Sequence, residues 1–151
     1  MAKTELDLFR SVRIEAFPNG TVIESKPAPE VLYPDFEPRT LPSGKKRGAD
    51  VRLSNDKLWI ESGGGTSLFD RPGVFKTKGW LSFDIPAGTE IPNSLAIRHT
   101  GYNPGFNAEH YQIESHANRM RLDAYKGALD NLARNAVVKS IEIAQRGKSI
   151  K

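Results

Sequence analysis

Apolar and polar residues alternate with a two-residue period near the start of the chain. Across residues 5–14, Leu6, Leu8, Arg10 and Val12 fall on one face and Asp7, Phe9, Ser11 and Arg13 on the other, which predicts a strand. Arg10 is then a cation among apolar neighbours, and it needs a partner or a ligand. Pro18-Asn19-Gly20 marks a turn, and Thr21-Val22-Ile23 reads as a short strand. Strand composition returns at 51–60 with a turn near Ser54-Asn55-Asp56, then at Val74-Phe75, 80–83, 95–98 and 110–114. The last of these puts His110, Gln112 and Glu114 on one face, with Tyr111 and Ile113 on the other. The period then changes. Leu122, Tyr125, Leu129, Leu132, Ala136, Ser140 and Ile143 recur at three- and four-residue steps, which predicts an amphipathic helix. Asp123 lies near its start and Arg146-Gly147 near its stop.

The segments between these elements carry their own signals. Residues 27–42 hold five prolines, each removing a backbone donor and restricting its predecessor, so no regular helix is expected. The apolar side chains Val31, Leu32, Tyr33 and Phe36 predict that this segment is laid across the body. Lys45-Lys46-Arg47, flanked by Gly44 and Gly48, reads as an exposed loop; residues 84–92 read as a tight turn, and Gly101, Asn103, Pro104 and Gly105 as a loop. The centre of the chain is the stretch 58–73, L-W-I-E-S-G-G-G-T-S-L-F-D-R-P-G. An apolar run gives way to Gly63, Gly64 and Gly65, then to Thr66 and Ser67, Leu68 and Phe69, Asp70 and Arg71. Consecutive glycines permit unusual dihedrals and close approach of another group. Hydroxyls beside exposed N–H groups offer donors and acceptors to a polar ligand. Taken alone, the same stretch also reads as a glycine-rich hairpin turn capped by Thr and Ser.

Together these patterns define an α+β chain: a strand-rich body with a long C-terminal helix, a single domain over residues 1–151. At 38% hydrophobic and 26% charged residues the chain folds rather than staying disordered. It has no cysteine, which excludes disulfides, thiolate metal sites and a cysteine nucleophile and fits a reducing compartment. The N-terminus has no long apolar region, so it is not a standard cleaved signal peptide, and no window approaches the ~18 apolar residues of a membrane span. Export is therefore expected by a route that reads no such signal. The net charge of +4 is uneven, because residues 116–151 carry 8 basic and 3 acidic groups. Such an end suits nucleic acid or an acidic protein, or is the solvated face of a helix.

The order of features from Trp59 onward resembles a family of type VI secretion effector toxins, the second of the Tse series, placed among ADP-ribosyltransferase-like toxins. The residues that carry the resemblance are G-G-T-S at 64–67, Phe69-Asp70-Arg71 and Gly73, F-D-I-P-A-G-T-E-I-P at 83–92, and Gly101-Tyr102-Asn103. They continue with His110-Tyr111, Met120 and L-D-N-L-A-R-N-A at 129–136, and Leu8-Phe9-Arg10 matches the family's opening. The resemblance implies two small sheets around a cleft, in which NAD⁺ is bound as substrate and its nicotinamide–ribose bond is broken. ADP-ribose then passes to an intracellular acceptor, protein or nucleic acid, or to water. Arg10 fits the arginine that contacts phosphate and ribose, Thr66 and Ser67 fit the hydroxyl motif beneath the nicotinamide ribose, and Phe69 fits a ring against nicotinamide. Gly65 and Arg71 complete the implied substrate-binding set. The resemblance also implies a cognate immunity protein, here expected to be acidic, and action in the cytoplasm of a target cell.

One departure is plain. Many ADP-ribosyltransferases close the site with a glutamate, but the family-matching position here is His110. A histidine can hold a ribose hydroxyl or take a proton near neutral pH, but it supplies no fixed negative charge. Either the mechanism is modified or Glu114 takes the acidic role. No histidine has partners at metal spacing, so a metal site is not expected. The residues by themselves leave two other readings open: a metal-independent ribonuclease toxin using His110 and Arg10, and a non-enzymatic module binding an acidic protein.

Overall fold

A computed structural model describes residues 2–149. Met1, Ile150 and Lys151 belong to the expected 1–151 domain, the last two to its basic end, and lie outside the described residues. In chain order the strands are β1 (Leu8–Arg13), β2 (Val22–Ile23), β3 (Lys26–Pro27), β4 (Arg39–Thr40), β5 (Lys46–Arg47) and β6 (Arg52–Leu53). They continue as β7 (Trp59–Glu61), β8 (Thr66–Phe69), β9 (Trp80–Ile85), β10 (Leu95–Asn103), β11 (Ala108–Ser115) and β12 (Arg119–Arg121), followed by the helix α1 (Leu122–Ser149). The α+β class expected from the pattern is what the chain adopts.

The strands form one five-stranded sheet, in the order β10-β11-β8-β1-β9, a three-stranded sheet β12-β7-β6, and two two-stranded hairpins, β2-β3 and β4-β5. All the pairings are antiparallel. The large sheet has a seam. β1 pairs with β9 along its whole length, from Leu8 opposite Ile85 to Arg13 opposite Trp80. Against β8 it meets at one register position, Phe9 opposite Phe69. β8 in turn is fully paired with β11, from His110 opposite Phe69 to Ile113 opposite Thr66.

The core lies between the large sheet and α1. Leu8, Val12, Leu68, Phe83, Ile85 and Ile113 meet Tyr125, Leu129, Leu132, Ala136 and Val137 of the helix. A backbone bond from Leu122 N–H to the Leu58 carbonyl (2.8 Å) fixes where the helix leaves the small sheet. The predicted stripe is buried from Tyr125 through Ala136 and then becomes more exposed along grooves beside β9. Ser140 is half-buried, and Ile141 and Ile143 are 38% and 46% exposed. A helix of 28 residues extends about 42 Å at 1.5 Å per residue, farther than the sheet beneath it reaches.

The proline-rich segment is a strap, as its apolar residues predict. Val31, Leu32 and Pro34 are buried, the Thr66 hydroxyl donates to the Leu32 carbonyl (2.7 Å), and the Tyr33 hydroxyl bonds Asp130 on α1 (3.1 Å). Three expected elements differ. Val74 and Phe75 form no strand; bounded by Pro72-Gly73 and by Gly79 at φ +98°, they pack into an aromatic cluster instead. The strand expected to stop at Arg98 continues to Asn103, because Gly101 at φ +136° absorbs a register shift that would otherwise end it. The expected loop at Lys45-Lys46-Arg47 is likewise the exposed second arm of the β4–β5 hairpin.

Leu132 is fully buried, so Leu132→Ala is expected to lower unfolding free energy by about 2–5 kcal/mol in urea titration. Ile143→Ala, at the exposed end of the stripe, is expected to change it by less than ~0.5 kcal/mol. A large loss at Ile143 would show that the helix end is covered in solution.

Candidate active site

Where β1 and β8 part, the sheet opens into a cleft of about 490 Å³. Its floor and walls bring together Arg10, Ser67, Phe69 and His110 with Tyr33 from the strap and Phe75, Trp80 and Phe106. Arg39 and Arg47, directly opposite each other on the β4–β5 hairpin, border it as well.

Arg10 resolves the conflict its position in the alternation predicts. On a core face with Leu8 and Val12, its side chain turns into the seam, where Nη1 donates to the Ser67 carbonyl and Nη2 to the Tyr33 carbonyl, both at 3.2 Å. Burial pushes the guanidinium pKa down, and the nearby Asp50 and Asp35 push it back up. Its Nε is shielded from solvent and has no hydrogen-bond partner among the described residues. A buried donor left unpaired costs roughly 1–3 kcal/mol, and this one lies beneath the cleft lining.

The hydroxyl pair divides. Neighbours on a strand point to opposite faces, and β8 puts Thr66 in the core and Ser67 in the cleft. The expectation that both hydroxyls face one polar cleft is therefore corrected. Thr66 is fully buried, and its bond to Leu32 holds the strap. Ser67 lines the cleft, and its hydroxyl has no protein partner among the described residues. Gly65 is also placed away from the cleft: a Cβ there would meet the Ile113 carbonyl at 1.8 Å, and its N–H bonds the Asp50 carbonyl at 3.1 Å. It is glycine so that β8 can pack against β11. Arg71 is exposed, its Nη1 on the Asn107 carbonyl (3.2 Å), outside the cleft lining.

His110 faces the cleft with its ring edge-on to Phe69, centroids 5.1 Å apart. Burial first, and then the charge of Arg98, hold its pKa below the ordinary 6.5. Glu114 shares the face of β11 with His110 but stands four residues along it, roughly 13 Å at strand rise. There Arg98 grips its carboxylate (2.8 Å) and Gln112 adds a bond (2.6 Å), which lowers its pKa and keeps it outside the cleft lining. The carboxylates that border the cleft are Glu30, Asp35 and Asp50, all from or beside the strap. Asp35 is paired with Arg39 (3.2 Å) and Asp50 accepts from the Asp35 N–H (2.7 Å), which leaves Glu30 without an ion pair among the described residues.

Sequence patterning missed Tyr33, Arg39, Arg47, Phe75, Trp80 and Phe106 as site residues. Phe75 and Trp80 stack with centroids 4.3 Å apart, and Phe106 joins them edge-on at 4.9 Å. Their only advance signal is aromatic side chains in turn-rich segments, where no core is expected to need them. Among the described residues no cluster of His, Cys, Asp and Glu is arranged to hold a metal ion, and no helix is long and apolar enough to cross a membrane.

A cleft that joins a half-buried arginine, an unpaired hydroxyl, an imidazole of lowered pKa and an aromatic wall is suited to an anionic, ring-bearing ligand. The family of Tse2 ADP-ribosyltransferase toxins matches residues 9–141. Toxin Tse2 of Pseudomonas aeruginosa is 33% identical over 95% of both chains. The chain belongs to the Tse2 family of ADP-ribosyltransferase toxins. The ribonuclease and binding-module readings give way to this one.

Two outcomes follow from the geometry. Thr66→Val is expected to cost about 1–3 kcal/mol of stability by leaving the Leu32 carbonyl unpaired, and Ser67→Ala less than ~0.5 kcal/mol, both read by urea unfolding. For His110, a folded pKa below the unfolded one means the unfolded chain binds more protons between the two, so this group's contribution to stability falls as pH drops through that window. An NMR titration of the ring is expected to give a midpoint below 6.5. A midpoint above that value would contradict the buried, Arg98-facing placement.

Proposed function

We propose that the cleft binds NAD⁺ as substrate and that its nicotinamide–ribose bond is broken there, with ADP-ribose passing to an intracellular protein or nucleic acid, or to water. The observation that carries this is the convergence at the seam of Arg10, the Ser67 hydroxyl and the His110 ring. The diphosphate lies against the cleft-lining part of Arg10, and Arg39 and Arg47 add positive charge at the mouth. Phe75, Trp80 and Phe106, backed by the buried Phe69, offer an aromatic wall to the nicotinamide ring. Ser67 bonds the ribose, holding it in the geometry in which neutral nicotinamide leaves. The acceptor's oxygen then attacks the ribose carbon, and neutral His110 takes the proton released. Thr66 and Gly65 serve this site through the strap and the β8–β11 contact, Arg71 through the Asn107 turn. Glu114 is held away by Arg98, so the site works without the usual glutamate.

This reading extends to the biology of the family. The toxin is exported from the cell that makes it, acts in the cytoplasm of a target cell, and is held inactive at home by an acidic immunity protein that covers the cleft. The exposed hairpin of Arg39, Lys46 and Arg47 supports an acidic partner at that rim.

Nicotinamide release from NAD⁺ by the purified protein, in the presence of cell extract, tests the reaction. Ser67→Ala and His110→Ala are each expected to slow it by ~10² or more, the scale of a lost general-base or orienting contact, and Glu114→Gln by less than about threefold, as for a group outside the site. Undiminished release from His110→Ala, or a dead Glu114→Gln beside it, would restore the ordinary glutamate mechanism.

A further inference from the structure

The strand β10 carries one residue more than its partner beside His110. His99 stands opposite Tyr111, and the next paired position is Gly101 opposite His110, so Thr100 is the extra residue of a bulge. Bulges disrupt the ladder locally and are found where a side chain has to be re-aimed. Here the Thr100 side chain makes two bonds to the same residue. Its Oγ1 donates to the His110 carbonyl at 3.1 Å, and it also meets His110 Nδ1.

The proton count decides the tautomer. A carbonyl has no hydrogen to give, so the bond to it uses the single proton of the threonine hydroxyl. With its proton on the carbonyl the oxygen has only lone pairs left, and His110 Nδ1 supplies the hydrogen of the second contact; a hydroxyl proton turned to Nδ1 would instead leave the carbonyl contact unmade. Nε2 is left unprotonated. Threonine suits the task, because β-branching restricts χ1 and so fixes where the hydroxyl points.

We propose that Thr100 is a positioning residue for His110: through the bulge it locks the ring as the Nδ1–H tautomer and leaves Nε2 as the acceptor presented to the cleft. Its importance for turnover rests on the reading of His110 as the group that takes the proton; the tautomer itself does not. A neutral imidazole is the form this arrangement requires, and the depressed pKa of His110 agrees with it. Neither the alternation in the sequence nor the family resemblance marks Thr100.

The test is nitrogen-15 NMR of the His110 ring at neutral pH, with NAD⁺ turnover measured beside it. The wild-type protein is expected to show the Nδ1–H tautomer. Thr100→Val keeps the shape and removes both bonds, and Thr100→Ala removes side chain and bonds together; each is expected to give a mixture of tautomers. Thr100→Ser is expected to restore the single one. In turnover, Thr100→Val is expected to lower kcat about tenfold or more while KM for NAD⁺ changes less than about twofold, and Thr100→Ser to recover most of the loss. A wild-type ring protonated on Nε2, or a nitrogen pattern unchanged by Thr100→Val and Thr100→Ala, overturns the proposal whatever the substrate is. If the wild-type protein releases no nicotinamide but the tautomer responds as described, the positioning holds and the reading of the reaction falls.

Discussion

A single half-buried arginine organises this protein. Arg10 arises on a strand face that otherwise enters the core, and a cation there must be compensated. It is compensated by carbonyls from two distant segments, Ser67 on β8 and Tyr33 on the strap, with Asp35 and Asp50 adding negative charge nearby. Those contacts hold β1, β8 and the strap around one point. They also fill the place where β1 and β8 would otherwise pair, which they do at Phe9 and Phe69 alone. The cleft and the interaction that stabilises its edges are thus the same feature. Arg10 Nε is left without a partner among the described residues, shielded from solvent beneath the cleft lining.

The short strand β8 divides one motif between the core and the cleft. Alternation sends Thr66 inward to the strap and Ser67 outward to the cleft, while the glycine before them lets β8 lie against β11 with no side chain between. Substituting either hydroxyl would therefore impair function by different routes, one through the fold and one through the site. Activity alone does not separate these routes, but stability does.

Much of this was legible in the residues. The conflict at Arg10, the strand through His110 and the helix stripe follow from period and polarity, and the order of motifs carries the family. Parity along β8 was equally available, since a strand cannot send adjacent hydroxyls to one side. The distance of Glu114 from His110 was also readable from strand rise. Other features had no local signal. Tyr33, Asp35, Arg39, Arg47 and Asp50 reach the cleft through the path of a proline-rich strap, which periodicity does not describe. The bulge at Thr100 was hidden by Gly101, which reads as a loop residue and serves instead as the hinge of a continuous strand.

The central claim is that the seam between β1 and β8 is where NAD⁺ lies. Hydrogen–deuterium exchange of the intact protein, with and without a non-cleavable NAD⁺ analogue, tests it most directly. The account predicts slowed exchange in residues 8–13, 31–35, 66–70 and 108–112, the segments that meet at Arg10, with little change in the far half of α1. Protection confined to the groove between Gly88–Thr89 and Asn135–Lys139, with none at the seam, would contradict it.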